Sequence, residues 1–128
     1  MKLPILGFGC YRIDYRGEEH RKSLEKAILE GITLIDTSAN YADGKSEILV
    51  GQVVTKLIGE NKIKRELLKI VTKAGYIQGS NYKTALARKE EGKTFPEVVE
   101  YAERLWHCIH PDFLQHQLDE QLKRLQMD

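Results

Sequence analysis

Three side chains that could move protons follow short apolar segments of the sequence. Asp36 ends the segment that begins at residue 32, Tyr41 comes five residues later, and Lys73 follows a second segment at 67–72. A phenol has a reference pKa of about 10 and is a weak acid at neutral pH, but a neighbouring ammonium group lowers that pKa. A carboxylate paired with the ammonium would keep the lysine charged and oriented. Such a trio could protonate a carbonyl oxygen that is becoming an alkoxide, as hydride delivery to the carbonyl requires.

Each of the three residues also has an ordinary structural interpretation. Asp36 could cap the turn that follows it, Tyr41 could be a half-buried loop aromatic, and Lys73 could be a solvated charge at a strand end. These interpretations weaken when all three residues follow strands of one parallel sheet or barrel, because the carboxyl ends of such strands carry ligands and catalytic groups. We therefore expect Asp36, Tyr41 and Lys73 to lie close together.

Hydrophobic periodicity predicts that strands and helices alternate along the first half of the chain. The predicted elements are a strand at 5–13, a helix at 18–31, a strand at 32–35, a helix at 46–58, a strand at 67–72, an irregular excursion at 75–93, a helix at 94–106 and a helix at 110–125. Each early helix returns the chain to a new parallel strand, which is typical of an α/β protein. No internal domain boundary is indicated. In the last helix, four leucines are predicted to face a core: Leu114, Leu118, Leu122 and Leu125.

Composition and charge exclude several classes of function. The net charge of +1 over 128 residues provides no field that would attract nucleic acid or an anionic membrane. The apolar runs are too short to cross a membrane, and the first residues lack the features of a signal peptide. The two cysteines, Cys10 and Cys108, are predicted to be free thiols. Together these features predict a cytoplasmic protein.

Two further motifs do not predict a binding site. Gly7 and Gly9 resemble the start of a dinucleotide-binding loop, but Arg12 stands where the third glycine belongs and no helix begins there. A metal site is not predicted, because the spacing of the late histidines and cysteine lacks a zinc pattern. Those residues are His107, Cys108, His110 and His116.

Three segments together resemble the N-terminal part of an aldo-keto reductase. Residues 6–11 (LGFGCY) resemble the first barrel strand of that family, residues 31–51 (GITLIDTSANYADGKSEILVG) match its best-known signature, and residues 65–74 (RELLKIVTKA) match its third-strand motif. The resemblance implies a (β/α)8 TIM barrel fold of the α/β class, of which this chain would cover roughly the first three β/α units. Residues 1–128 would then be the N-terminal portion of one barrel domain, with an insert near 77–105.

The resemblance also implies roles for particular residues. Tyr41 would be the general acid, Lys73 the lysine that tunes it, and Asp36 the carboxylate that pairs with the lysine. The cofactor would bind near the end of the first strand and the aspartate, which implicates Gly9, Cys10, Tyr11 and Asp36. The implied reaction is the NAD(P)H-dependent reduction of small aldehydes or ketones, or its reverse, with NADP the expected cofactor and NAD the alternative.

A second function remains open beside the reductase. The family's catalytic tetrad also contains a histidine after the fourth strand, and none of His20, His107, His110 and His116 stands in that context. The alternative is a non-catalytic cofactor-binding or regulatory protein, or an inactive truncated fragment. We expect the 128-residue chain alone to be inactive, and its expected protein partner is either the C-terminal half of such a barrel or a second copy of itself.

Overall fold

The computed structural model describes residues 4–127, which fold into two compact units. Among the described residues, unit 1 contains 4–73 and 121–127, and unit 2 contains Ala74–Glu120. The elements in chain order are β1 (Phe8–Gly9), α1 (Glu18–Leu29), β2 (Leu34–Asp36), α2 (Lys45–Gly59), β3 (Lys69–Val71), β4 (Tyr76–Ile77), α3 (Gly79–Glu90), β5 (Val99–Ala102), β6 (Leu105–His107) and α4 (Pro111–Leu125). The boundary between the units falls within α4.

Unit 1 is built on a three-stranded parallel sheet in the order β1-β2-β3. Ile35 pairs with Phe8 on one side and with Ile70 on the other, so the three short strands are in register. Helices α1 and α2 connect the strands, as the sequence predicted. Their buried faces, the sheet with its flanking residues and the end of α4 form a core of Cys10, Leu24, Ile28, Ile35, Leu49, Val50, Val53, Val54, Leu57, Leu68 and Leu125.

The parallel pairing extends one residue past each of the first two strands. The Cys10 amide donates to the Asp36 carbonyl at 2.8 Å, and the Thr37 amide donates to the Val71 carbonyl at 2.8 Å. These bonds align the carboxyl ends of the strands along one edge of the sheet. The loops that follow the strands therefore begin side by side, which is the arrangement that brings side chains together at this edge of parallel sheets.

Unit 2 differs from the sequence-based prediction in two segments. The irregular excursion predicted at 75–93 is wrong, because this segment forms strand β4 and helix α3. The helix predicted at 94–106 is also wrong, because strands β5 and β6 form an antiparallel hairpin there. Ile77 on β4 pairs with Trp106 on β6, and this long-range pairing stabilises strands in the segment. The valines and aromatic residues of the segment also favour a strand.

The helix predicted at 110–125 is confirmed as α4, but its buried face is not the predicted leucine stripe. Leu114 and Leu118 are 36% and 46% exposed, whereas Leu125 is buried. The buried positions recur every four residues and include two amides: Phe113, Gln117, Gln121 and Leu125. The two amides can be buried because each has a hydrogen-bond partner: Gln117 pairs with Asn81, and Gln121 donates to the Lys73 carbonyl.

Candidate active site

The predicted trio comes together at the carboxyl edge of the unit 1 sheet. The Lys73 ammonium group donates to Asp36 Oδ2 at 2.9 Å, to the Thr37 carbonyl at 2.7 Å and to the Tyr41 hydroxyl at 3.0 Å. A lysine ammonium has three hydrogens and no acceptor. All three hydrogens are therefore engaged, and the amine is fixed between the carboxylate and the phenol.

The lysine is charged in this arrangement. Burial lowers the pKa of Lys73, but hydrogen bonds with Tyr41 and Asp36 outweigh that effect and raise the pKa above its ordinary value. The Lys73 and Asp36 side chains are 45% and 43% exposed, so the pair borders on solvent. The ammonium also lies 4.5 Å from the centre of the Tyr41 ring. The phenol thus lies beside a fixed ammonium group that is itself paired with the Asp36 carboxylate.

The hydrogen-bond directions decide what Tyr41 can do. Because Lys73 can only donate, the Tyr41 oxygen is the acceptor in their bond. The phenolic hydrogen is consequently not used in the contact with the lysine. It is available to a second acceptor on the half-exposed side of the ring.

Tyr41 is presented by an unusual turn. The 3-10 turn Tyr41–Gly44 places Ala42 at φ 49°, Asp43 at φ 56° and Gly44 at φ 81°, so three consecutive residues are left-handed. The left-handed region disfavours side chains with a Cβ by about 1–2 kcal/mol per residue. Helix α2 begins immediately after this turn at Lys45, and its buried residues belong to the unit 1 core.

The residues predicted at the end of the first strand divide into two groups. Gly9 is exposed, and a Cβ there would have open space around it. The Tyr11 ring is 65% exposed and packs edge-on against Tyr41, with ring centroids 5.1 Å apart. Cys10 instead points into the aliphatic core, where burial first and the nearby Asp36 charge second raise the pKa of its thiol to about 12.

Two buried hydroxyl groups, which sequence reasoning missed, join the strand ends beneath the trio. Ser46 Oγ donates to the Cys10 carbonyl at 3.0 Å and lies 3.0 Å from Thr37 Oγ1. Since Ser46 has one hydroxyl hydrogen, Thr37 is the donor in the second bond. A serine just inside the predicted start of a helix was the available signal, although it suggested only a cap.

A family model described as "Aldo/keto reductase family" matches residues 6–128. The chain belongs to the aldo/keto reductase family. The match includes all three motif segments, and it confirms the predicted fold class, the (β/α)8 barrel family, of which the unit 1 sheet is a part.

Two relatives and one solved structure are similar to this chain in sequence and in fold, respectively. The chain is 42% identical over 72 residues to the 4-dihydromethyl-trisporate dehydrogenase of Mucor mucedo, covering 56% of this chain and 21% of the relative. It is 35% identical over 88 residues to the NAD(P)H-dependent D-xylose reductase of Scheffersomyces stipitis, covering 67% and 26%. A holo aldo-keto reductase from Bacillus halodurans superposes with a TM-score of 0.67 at 23% identity, covering 96% of this chain and 32% of that one. The chain thus spans about a fifth to a quarter of these curated relatives.

Each of the four histidines of this chain has a local partner in its own unit. His20 Nδ1 contacts the backbone of Asp14 in the loop before α1. The other three belong to unit 2, where His107 packs against Tyr76, His116 packs against Phe95 and His110 caps α4 through the Asp112 amide. Within residues 4–127, no three His, Cys, Asp or Glu side chains group as a metal site. No helix in the same range is long and apolar enough to cross a membrane.

Proposed function

We propose that this chain carries the proton-donating part of an NAD(P)H-dependent reductase of small aldehydes or ketones. Tyr41 is the general acid, Lys73 fixes and polarises its oxygen, and Asp36 holds the lysine. The observation that carries the proposal is the hydrogen-bond assignment at Lys73, whose three donors reach Asp36, the Thr37 carbonyl and Tyr41. The name of the xylose reductase relative supports the cofactor class.

The proposed step balances as follows. A reduced nicotinamide, NADPH or alternatively NADH, would supply a hydride to the carbonyl carbon. Tyr41 gives its free phenolic hydrogen to the carbonyl oxygen as that oxygen gains charge, so the products are the alcohol and the oxidised cofactor. The resulting phenolate is stabilised by the Lys73 ammonium at 3.0 Å. A proton from solvent restores the phenol, since the Lys73–Asp36 pair borders on water.

Gly9 and Tyr11 suit contact with a flat cofactor ring. Gly9 has no side chain and stands in open space, which permits close approach of a ring to the strand end. The exposed Tyr11 offers an aromatic face beside Tyr41. Cys10 would contribute through its backbone, because its side chain is buried. Asp36 completes the predicted set on the side of the lysine.

The test uses the product of the complete reading frame that contains these residues. Consumption of NADPH is followed by absorbance with a panel of small aldehydes, and Tyr41→Phe is compared with Tyr15→Phe, a control at an exposed loop tyrosine. Loss of a general acid reduces turnover by roughly 10²–10⁴-fold. We expect that loss in Tyr41→Phe alone. Turnover that survives Tyr41→Phe would exclude the assigned acid, and NADPH binding without turnover in the parent would favour the regulatory alternative.

A further inference from the structure

Two buried side chains outside the trio hold the backbone on which Lys73 stands. Thr72 Oγ1 donates to Glu47 Oε1 at 2.5 Å, and Gln121 Nε2 donates to the Lys73 carbonyl at 2.8 Å. Glu47 is fully buried and Gln121 is 3% exposed. Neither bond involves the Lys73 ammonium group, which keeps its contacts with Asp36 and Tyr41. The two bonds hold the backbone at Thr72 and Lys73, and the backbone position determines which groups the ammonium can reach.

Arg124 connects this anchoring to the loop that presents Tyr41. Its Nε donates to the second carboxylate oxygen of Glu47 at 2.6 Å, so both oxygens of that carboxylate are engaged. The Arg124 side chain also packs beneath Gly44, where an added Cβ would lie 3.0 Å from Arg124 Cδ. One arginine therefore contacts the turn that carries the phenol and the carboxylate that holds the lysine strand.

The backbones of α2 and α4 meet closely enough to place these groups. A Cβ at Gly51 would lie 2.6 Å from the Leu125 carbonyl and 2.7 Å from the Arg124 carbonyl. Only a glycine allows this approach, because both neighbours are backbone atoms that cannot rotate away. The contact holds the end of α4 against α2. The Gln121 and Arg124 side chains are thereby placed within hydrogen-bond distance of the Lys73 carbonyl and of Glu47, respectively.

Net stabilisation is a weak explanation for the Glu47–Arg124 pair. Burying an ion pair costs several kcal/mol of desolvation, which the mutual attraction often only repays. Arg124 Nη2 is buried as well, with no hydrogen-bond partner among residues 4–127. What the pair does supply is geometry, since charge-assisted bonds are short and directional.

We infer that Glu47, Gln121 and Arg124 form a positioning clamp that sets the distance between the Tyr41 hydroxyl and the Lys73 ammonium. The inference rests on the proposed function for its catalytic consequence, but the geometry it describes can be measured without turnover. None of the three clamp residues touches substrate or cofactor in this scheme. They act through Lys73 and the Tyr41 turn.

The decisive experiment removes one clamp bond and observes Lys73 directly. In the product of the complete reading frame, Gln121→Met keeps the side-chain volume and deletes the donor to the Lys73 carbonyl. Gln117→Met is the matched control, since Gln117 is on the same helix, equally buried, and pairs with Asn81 instead. NMR titration of isotope-labelled lysine side chains reports the pKa of Lys73. We expect that pKa to fall in Gln121→Met and to be unchanged in Gln117→Met.

A second variant keeps the inference testable if Gln121→Met does not fold. Thr72→Val preserves shape and removes the hydroxyl that Glu47 accepts from. It is expected to lower the Lys73 pKa in the same way, because hydrogen bonds with Tyr41 and Asp36 weaken while burial persists. An unchanged Lys73 titration in a folded Gln121→Met or Thr72→Val protein overturns the clamp.

Activity measurements separate the clamp from the proposed reaction. Misplacing a catalytic group by about 1 Å can cost roughly 10²-fold in rate, so a loosened lysine is expected to lower kcat by up to about 10²-fold. The KM for aldehyde should be unchanged, because no substrate contact is removed. If the parent protein has no reductase activity and Gln121→Met still lowers the Lys73 pKa, the result supports the clamp and rejects the reaction. Reductase activity that depends on Tyr41 but is unaffected by Gln121→Met, together with an unchanged Lys73 pKa, rejects the clamp and keeps the reaction.

Discussion

The two units of this chain bury different kinds of side chains. Unit 1 combines an aliphatic core with buried hydroxyl, carboxylate and amide groups below the strand ends, namely Thr37, Ser38, Ser46, Glu47 and Gln121. Unit 2 has a core dominated by rings, namely Phe95, Trp106 and Phe113 together with Ile77, Ala85 and Cys108. Burying a polar group is costly unless it has a hydrogen-bond partner. A fully paired buried group in turn holds its neighbours at defined distances. Unit 2 also buries the Gln117 amide, which pairs with Asn81, so the comparison indicates that buried polar contacts are concentrated in unit 1 and ring packing in unit 2.

The largest expected effect tests the chemistry of unit 1. Lys73→Met should reduce turnover by roughly 10²–10⁴-fold, because the proton donor loses its fixed positive charge. The free energy of unfolding should change little, since surface ion pairs contribute about 0–1 kcal/mol. Lys69→Met, at the first residue of the strand that precedes Lys73, is the control. Steady-state kinetics and denaturant unfolding check both statements, and equal activities for the two variants would contradict the assigned role.

The next effect tests the aromatic core of unit 2. Phe113 is 2% exposed and its ring centroid is 5.3 Å from that of Phe95. Phe113→Ala should lower the free energy of unfolding by about 3–5 kcal/mol through lost burial and an unfilled cavity. Trp106, the single tryptophan of the chain, lies in the same cluster and reports unfolding by fluorescence. Leu114→Ala is the control at a half-exposed position, and a similar loss there would show that packing in unit 2 is not concentrated on the rings.

A smaller effect tests the close approach that supports the clamp. Gly51→Ala forces a methyl group against two backbone carbonyls and should destabilise the protein by about 1–3 kcal/mol. Gly59→Ala, at the end of the same helix, meets nothing within 4 Å and should stabilise it by about 0.4–1 kcal/mol. Chemical denaturation of the two variants gives the comparison. Equal stabilities would mean that α2 and α4 can separate without cost.

The smallest expected effect concerns the strained turn after Tyr41. Ala42→Gly should raise the free energy of unfolding by about 1 kcal/mol, because φ 49° suits glycine. Ala87→Gly, at an exposed position inside α3, should lower it by about 1 kcal/mol. Thermal unfolding of both variants measures the opposite signs. A destabilised Ala42→Gly protein would show that the turn stores no strain.

Local pattern was sufficient for most of unit 1 and failed in much of unit 2. Helices α1 and α2 have regular apolar faces, so their existence followed from periodicity, although the first strand shrank from 5–13 to Phe8–Gly9. The hairpin of unit 2 was mistaken for a helix because its alternation is short and interrupted by a register shift between Glu100 and Ala102. The hairpin is stabilised by the pairing of β6 with β4. That contact is not visible in the local sequence of the hairpin.

The sequence by itself determined the family, the alternation of strands and helices in unit 1 and the three residues of the candidate site. Asp36, Tyr41 and Lys73 follow apolar strands in a distinctive motif, and parallel pairing alone is enough to bring them together. Tertiary structure decided the burial of Cys10 and the clamp from α4. Two of the clamp bonds join residues that are far apart in sequence. Arg124 lies 77 positions from Glu47, and Gln121 lies 48 positions from Lys73. Which residues become partners at this separation depends on how whole helices pack, and a local sequence pattern does not contain that information.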